Sequence, residues 1–322
     1  MSILSIAVPT YNRRDKLERC LQMLCAQIVH EGLENQVEVL VSDNASTDGS
    51  VNVLQNFDFP GVKIRRLFQQ ENLGFDRNVN ELYMTCTSDY VWYFADDDIL
   101  IDGALGKVVN SISQYSPDVM MFSFEQPPNS GFHAFAFEQQ VYVTTDPEEQ
   151  AELLYRFPKI SAYVLKKITL SEGVANESAV FIGTNFYFVA LCYSLLKASS
   201  NSTVAVISEI LARSDDDYNI IRFSADTWLG NSAVLKHPFV VDGAQRYART
   251  KERELYYSRI IAIWAAYVGA WLVESKSDYL LAGHQIGIRF WWLLRRPKQA
   301  VQLLLIVLAY KRMGGSHFRY RG

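Results

Sequence analysis

The hydrophobic positions of the first 125 residues change period in a regular way. Residues 3–8 form an apolar run that stops at Pro9, and over residues 15–25 the apolar side chains recur at helical spacing, which predicts a strand, a loop and a helix. The pattern repeats, with strands expected over 37–41, 62–68, 91–94 and 119–124 and helices over 46–55, 77–84 and 102–113. Parallel neighbours need crossovers, and crossover helices cover both faces, so this alternation predicts an α/β fold with a mainly parallel sheet flanked by helices. After Glu125 the pattern loosens through Pro127-Pro128 and Ser130-Gly131. It then predicts a helix over 147–157, an extended segment over 160–165, a helix over 186–197 and a strand over 204–207. Helices follow over 252–273, 280–294 and 298–311. The expected division is an α/β unit over 1–245, with halves 1–125 and 126–245, and a helical extension over 246–322.

Composition narrows the class of protein. With 49% apolar and 20% charged residues in 322, the chain can bury a large core, and disorder or a collagen-like fibre is excluded. The net charge of −4 conceals an asymmetry: residues 279–322 hold eight Lys and Arg and no Asp or Glu, leaving 23 basic against 35 acidic residues ahead of them. An acidic body argues against nucleic acid as a partner, and the basic end points to a local anionic one. Cys20, Cys25, Cys86 and Cys192 have neither metal-site spacing nor the density of a disulfide scaffold, and Cys20 and Cys25 fall on the apolar face of a helix, where packing explains them. Met1-Ser2-Ile3-Leu4-Ser5 has no basic start or signal-length apolar run, so a cytoplasmic location is expected.

In a parallel α/β sheet, ligands collect beyond the carboxyl ends of the strands. The polar residues cluster there: Pro9-Thr10-Tyr11-Asn12-Arg13 after the first strand, Ser42-Asp43-Asn44-Ala45-Ser46-Thr47-Asp48-Gly49 after the second, and Ala95-Asp96-Asp97-Asp98 after Tyr90-Val91-Trp92-Tyr93-Phe94. Three adjacent carboxylates repel unless a cation or strong donors neutralise them, and Mg²⁺ or Mn²⁺, which favour oxygen ligands, would do so while bridging to phosphates. A solvated acidic turn is the alternative. Asp43 ends an apolar strand directly, where its carboxylate can accept N–H groups of a nucleobase, and Tyr11 is placed to stack on the base. Asp48 is better read as a first-turn helix carboxylate. Glu71-Asn72-Leu73-Gly74-Phe75-Asp76-Arg77-Asn78 sets a glycine before a charged helix start, and Arg77 can hold a pyrophosphate in bidentate fashion. There is no G-x-G-x-x-G after the first strand, no G-x-x-x-x-G-K-[ST] and no G-x-S-x-G, so dinucleotide, P-loop and serine-hydrolase chemistry are unsupported.

Ile6-Ala7-Val8-Pro9-Thr10-Tyr11-Asn12-Arg13, Val41 to Gly49, Glu71 to Gly74 with Arg77-Asn78, and Ala95 to Asp98 occur in the order and spacing of family 2 glycosyltransferases, which the first 125 residues resemble. The resemblance implies a GT-A fold and a nucleoside diphosphate sugar donor contacted by Pro9, Thr10, Tyr11, Arg13, Asp43, Arg77, Asp96 and Asp97. It also implies a divalent metal, Mg²⁺ or Mn²⁺, on Asp98 and Asp96. Residues 159–167 and the middle region are similar to abequosyltransferase-like enzymes of lipopolysaccharide O-antigen synthesis, whose dideoxysugar donors carry cytidine diphosphate, whereas most relatives use uridine, guanosine or thymidine diphosphate. One departure concerns the proton acceptor. Many inverting relatives carry a Glu-Asp pair where this chain has Ile182-Gly183-Thr184-Asn185-Phe186, so the base role passes to Glu177, or to Asp215, Asp216 or Asp217.

The last predicted helices combine Trp264, Trp271, Trp291 and Trp292 with eight cations, a composition suited to lying in an anionic membrane interface. A solvated face packed on the α/β unit is the alternative. The apolar runs over 260–273 and 300–310 are shorter than a membrane span. Peripheral attachment to the inner face of the cell membrane would suit a polyprenyl diphosphate-linked acceptor, as the resemblance suggests. A sugar-phosphate nucleotidyltransferase and a non-catalytic sugar- or lipid-binding scaffold are the rival readings.

Overall fold

The computed structural model describes residues 2–125, 135, 137–156 and 159–215; the predicted helices beyond residue 249 and the whole basic extension lie outside them. Chain order is β1 (Leu4–Thr10), α1 (Arg14–His30), β2 (Val37–Asp43), α2 (Ser50–Asn56), β3 (Ile64–Phe68), α3 (Phe75–Thr85), β4 (Tyr90–Tyr93), β5 (Asp98–Leu100), α4 (Ala104–Tyr115), β6 (Val119–Glu125), β7 (Val141–Thr144), α5 (Pro147–Arg156), a 3₁₀ turn (Ile160–Ala162), β8 (Tyr163–Lys166), α6 (Glu172–Ala179), α7 (Tyr187–Ala198) and β9 (Val204–Ser214).

The strands form one sheet in the order β3-β2-β1-β4-β8-β6-β9-β5, with β7 also on β9. The first part of the sheet, β3-β2-β1-β4, is wholly parallel as expected. Beyond β4 the sheet is mixed, because β8 runs antiparallel to both β4 and β6 while β9 lies parallel to β6. Every residue of β1, β2 and β4 is buried, which is the burial of strands covered on both faces and explains their largely apolar sequences. Trp92 sits where the two halves join. It is fully buried, meets Phe94 and Phe122 edge-on at 5.9 and 5.2 Å, and donates its indole N–H to the Ser161 carbonyl at 2.9 Å. All four cysteines are free and buried, in keeping with a packing role.

Three differences from the sequence pattern bear on the site. α2 begins at Ser50 rather than residue 46, since Asp48 accepts the Ser50 N–H and hydroxyl and the Arg14 N–H, so residues 44–49 stay a loop at the strand ends. Asp48 therefore lies just ahead of the helix, before its N-cap Gly49, and not in the first turn as expected. β5 is a three-residue strand beginning on Asp98 itself, paired with β9 more than a hundred residues later. β9 therefore runs on to Ser214 instead of stopping near 207, its first part taken by β7 and its last by β5. Period-two patterning cannot show a strand so short whose partner is so distant.

Candidate active site

The carboxyl ends of β1, β2 and β4 lie side by side. Thr10 is in register with Asp43 across β1 and β2, and the Asn44 N–H bonds the Thr10 carbonyl at 3.0 Å. The Thr10 hydroxyl in turn donates to Asp96 Oδ2 at 2.7 Å, tying the acidic turn after β4 to the same rim. Pro9 is buried within β1 opposite Ser42, whereas the Tyr11 ring is 42% exposed. Asn12 takes a left-handed φ of 51°, which aims its amide oxygen at the Thr47 N–H and its own N–H at the Ser46 hydroxyl. The loops after β1 and β2 are thereby fastened together behind Tyr11.

Asp43 is 1% exposed. Its Oδ2 accepts the Ser46 N–H at 2.9 Å, while Oδ1 has no hydrogen-bond partner among the described residues. A buried carboxylate oxygen left without a donor is costly and calls for an N–H from elsewhere. The floor beneath it is rigid: the Ser42 hydroxyl donates to Asn78 Oδ1 at 2.6 Å, and the Asn78 amide returns a bond to the Ser42 carbonyl at 3.2 Å. Asn44 holds the Glu71-to-Gly74 loop by accepting the Leu73 N–H at 2.8 Å and donating to Asn72 at 2.9 Å. α3 then starts after Gly74, whose φ of 81° suits glycine, and leaves Arg77 exposed at its first turn.

The acidic turn is no solvated surface feature. Asp96 and Asp98 are each 5% exposed, and the turn is set by Ser161, whose hydroxyl accepts the Ala95 N–H at 3.0 Å and donates to Asp98 Oδ2. Two cations neutralise it. Arg13 Nη1 meets Asp96 Oδ1 at 3.0 Å and also bonds Asp97 Oδ2, while Lys159 Nζ lies 3.0 Å from Asp98 Oδ1. Burial dominates at Asp96 and pushes its pKa up to about 6 despite Arg13 and Thr10; it raises Asp98 too, against Lys159. At Asp97, burial opposes ionisation, but Arg13 and Lys159 outweigh it and hold the carboxyl below its usual range.

A divalent cation fits this turn by donor chemistry, since Mg²⁺ is commonly held by one or two carboxylates plus substrate phosphate oxygens. Asp98 and Asp96 offer such oxygens, although no group of three His, Cys, Asp or Glu among the described residues forms a ready-made cage. Lys159 and Ser161 belong to the site only through the fold. Both belong to the stretch 159–167 that carries the narrower family resemblance, but neither was expected at the site.

Asp76 is the other residue that sequence reasoning passed over. It is 2% exposed, points from α3 towards the start of α7, and accepts the N–H groups of Gly183 at 2.7 Å, Asn185 at 2.8 Å and Tyr187 at 3.3 Å. Burial raises its pKa, the three N–H groups working the other way. The loop reaches this geometry through left-handed residues at Gly183, φ 98°, and Asn185, φ 66°. Asp76 thus holds from the donor side the segment that lacks a carboxylate of its own. Among the base candidates, Glu177 lies in α6, and Asp215 faces Lys16 and Arg19 at 3.8 and 3.7 Å. Asp216 and Asp217 lie outside the described residues.

A model of the family described as Glycosyl transferase family 2 matches residues 5–167, half of the chain. Abequosyltransferase RfbV of Salmonella typhimurium is 36% identical over 107 residues, 32% of this chain and 30% of that protein. GalNAc(5)-diNAcBac-PP-undecaprenol beta-1,3-glucosyltransferase of Campylobacter jejuni is 29% identical over 115 residues, 35% of this chain and 36% of that protein. The matched segment spans about a third of the length of these curated relatives. Among solved structures, TarS residues 1–349 from S. aureus with UDP-GlcNAc superposes with a TM-score of 0.60 at 13% identity, over 89% of this chain and 79% of that one. The mannosyltransferase PcManGT of Pyrobaculum calidifontis with GDP-Man and Mn²⁺ gives 0.56 at 13% identity, over 96% and 86%. The fold is therefore the GT-A fold of these glycosyltransferases.

Removing the Asp76 carboxylate orphans three buried N–H groups. Asp76→Ala is expected to cost about 3 kcal/mol in urea unfolding, and Asp76→Asn, which keeps one acceptor oxygen, distinctly less. Equal stability of Asp76→Ala and wild type would show that the contact does not hold the loop.

Proposed function

Because the chain belongs to glycosyl transferase family 2, we propose that it moves a sugar from a nucleoside diphosphate donor to a hydroxyl of a lipid-linked oligosaccharide, in synthesis of lipopolysaccharide O-antigen or another surface polysaccharide. The observation that carries this reading is the buried Asp43 carboxylate, one oxygen of which has no hydrogen-bond partner among the described residues, separated only by β1 from the acidic turn that Thr10 and Arg13 hold. In this reading Asp43 Oδ1 accepts an N–H of the nucleobase and Tyr11 covers the base. The diphosphate lies towards Asp96, Asp97 and Asp98, within reach of Arg13 and, from the α3 start, Arg77. A uridine, thymidine, guanosine or cytidine base offers such an N–H, so the geometry leaves all four open.

Bond breaking at the anomeric carbon places negative charge on the departing diphosphate, and fixed cations there lower the barrier more than they tighten the ground state. Arg13 and Arg77 supply such charge from this chain. A divalent metal on Asp98 and Asp96, when bound, would add Lewis-acid stabilisation of the same oxygens; the PcManGT structure with Mn²⁺ supports this part of the reading. The acceptor hydroxyl must lose its proton, and Glu177 is the candidate to take it. For the acceptor itself, the support is the printed name of the Campylobacter relative, which carries PP-undecaprenol. The basic, Trp-bearing extension over 246–322 is read as the part that seats the protein peripherally on the inner face of the membrane. No described helix is long and apolar enough to cross one.

Calorimetry with nucleoside diphosphates in the presence of Mn²⁺ tests the donor reading. One of the four should bind, and Asp43→Ala should weaken it about 10- to 100-fold, the worth of a charge-assisted hydrogen bond. Binding of none, or unchanged binding by Asp43→Ala, would contradict it. Turnover releasing pyrophosphate instead of nucleoside diphosphate would favour a nucleotidyltransferase.

For the extension, the full chain should float with anionic liposomes at low salt and detach as ionic strength rises, while neutral liposomes retain far less. Failure to bind either kind at low salt would remove the membrane reading.

A further inference from the structure

Of the three carboxylates in the acidic turn, Asp98 has the most deeply buried side chain and is already paired with a cation of this chain. Its side chain is 2% exposed, and both oxygens are engaged, Oδ2 by the Ser161 hydroxyl and Oδ1 by Lys159 Nζ at 3.0 Å. The lysine is itself largely buried, with 21% of its side chain exposed, and its ammonium also sits over the Phe124 ring at 4.9 Å from the centroid. Lys159 immediately precedes the 3₁₀ turn whose Ser161 fixes Ala95 and Asp98. One short segment therefore both shapes the acidic turn and occupies it with positive charge.

The charges make co-occupancy unfavourable. Asp96, Asp97 and Asp98 total −3 when ionised, and Arg13 and Lys159 return +2. A divalent ion bound to Asp98 Oδ1 would share that oxygen with an ammonium at contact distance, in a site where burial leaves little water to screen the repulsion. We propose that Lys159 is the resident counter-ion of Asp98 and must leave it before a divalent cation can enter, so that Lys159 sets how tightly this chain takes up metal. The inference rests on the reading of Asp98 as a metal ligand. It adds that metal uptake is a cation exchange, helped by any anionic group, such as a donor diphosphate, that receives the released ammonium.

The test is titration of the full chain with Mn²⁺ alone, following the free-ion electron paramagnetic resonance signal, which needs no turnover. Lys159→Met, with Lys159→Gln as a second neutral variant that keeps a hydrogen-bond donor, should bind Mn²⁺ at least tenfold more tightly than wild type. Lys159→Arg, which keeps the charge, should stay near wild type. Adding Asp98→Asn to Lys159→Met should abolish the gain. Circular dichroism and melting of each variant establish that it is folded, and the conclusion is drawn from whichever neutral variant is. If Mn²⁺ binds wild type and the neutral variants equally, or the variants more weakly, the role of Lys159 is overturned while the metal reading stands. If the gain survives Asp98→Asn, the exchange at Asp98 is overturned. If none of the proteins binds Mn²⁺ and nucleoside diphosphate still binds in excess chelator, the metal reading falls and this inference with it.

Discussion

Three consecutive carboxylates at the end of a central strand, the first and last of them buried, are the constraint around which the rest of this structure is arranged. Left alone, Asp96, Asp97 and Asp98 would repel one another and resist burial. The chain answers with groups drawn from two distant segments: Thr10 and Arg13 from the end of β1 and the loop after it, and Lys159 and Ser161 from the turn before β8. Those contacts tie the segment 159–166, whose strand β8 pairs with β4, to the parallel half, while β5 begins on Asp98 by pairing with β9.

Glu38 gives the contrast. It is fully buried near the opposite end of the same strands, yet Lys63, Arg65, Ser5 and Ser88 surround it. Burial opposes its charge, but those donors outweigh burial and hold its pKa below the ordinary glutamate range. Asp96 goes the other way, to about 6, because Arg13 and Thr10 do not make up for what burial removes. At Glu38 the donors outweigh burial and at Asp96 they fall short of it, and Asp96 sits on the same rim as Asp43, whose Oδ1 has no hydrogen-bond partner among the described residues; such a deficit is what the proposed donor site would use.

Much of this was legible in the chain itself. Apolar runs ending in polar loops placed β1, β2 and β4 and put Thr10, Asp43 and Asp96 at one edge, since strand ends in a parallel sheet converge whatever the side chains are. Asp48 was readable as a residue near a helix start from its local surroundings. Asp76, Lys159 and Ser161 were not, because each acts through partners 61 to 111 residues away and none departs from ordinary surface composition. β5 escaped notice for the same reason: it is held by pairing with β9 and carries no period of its own.

The most direct test of the central constraint is the pH dependence of stability in Asp96→Asn against wild type, with chelator present. The folded-state pKa of Asp96, about 6, lies above its ordinary value of 3.8, so between these values the native state holds more proton than the unfolded one, and stability falls as pH rises. Urea unfolding from pH 4 to pH 8 should therefore show wild type losing about 3 kcal/mol relative to Asp96→Asn, most of it before pH 7, with no further divergence above. A difference that stays flat across this range, or that turns in favour of wild type as pH rises, would contradict the claim that this carboxylate is buried at a cost.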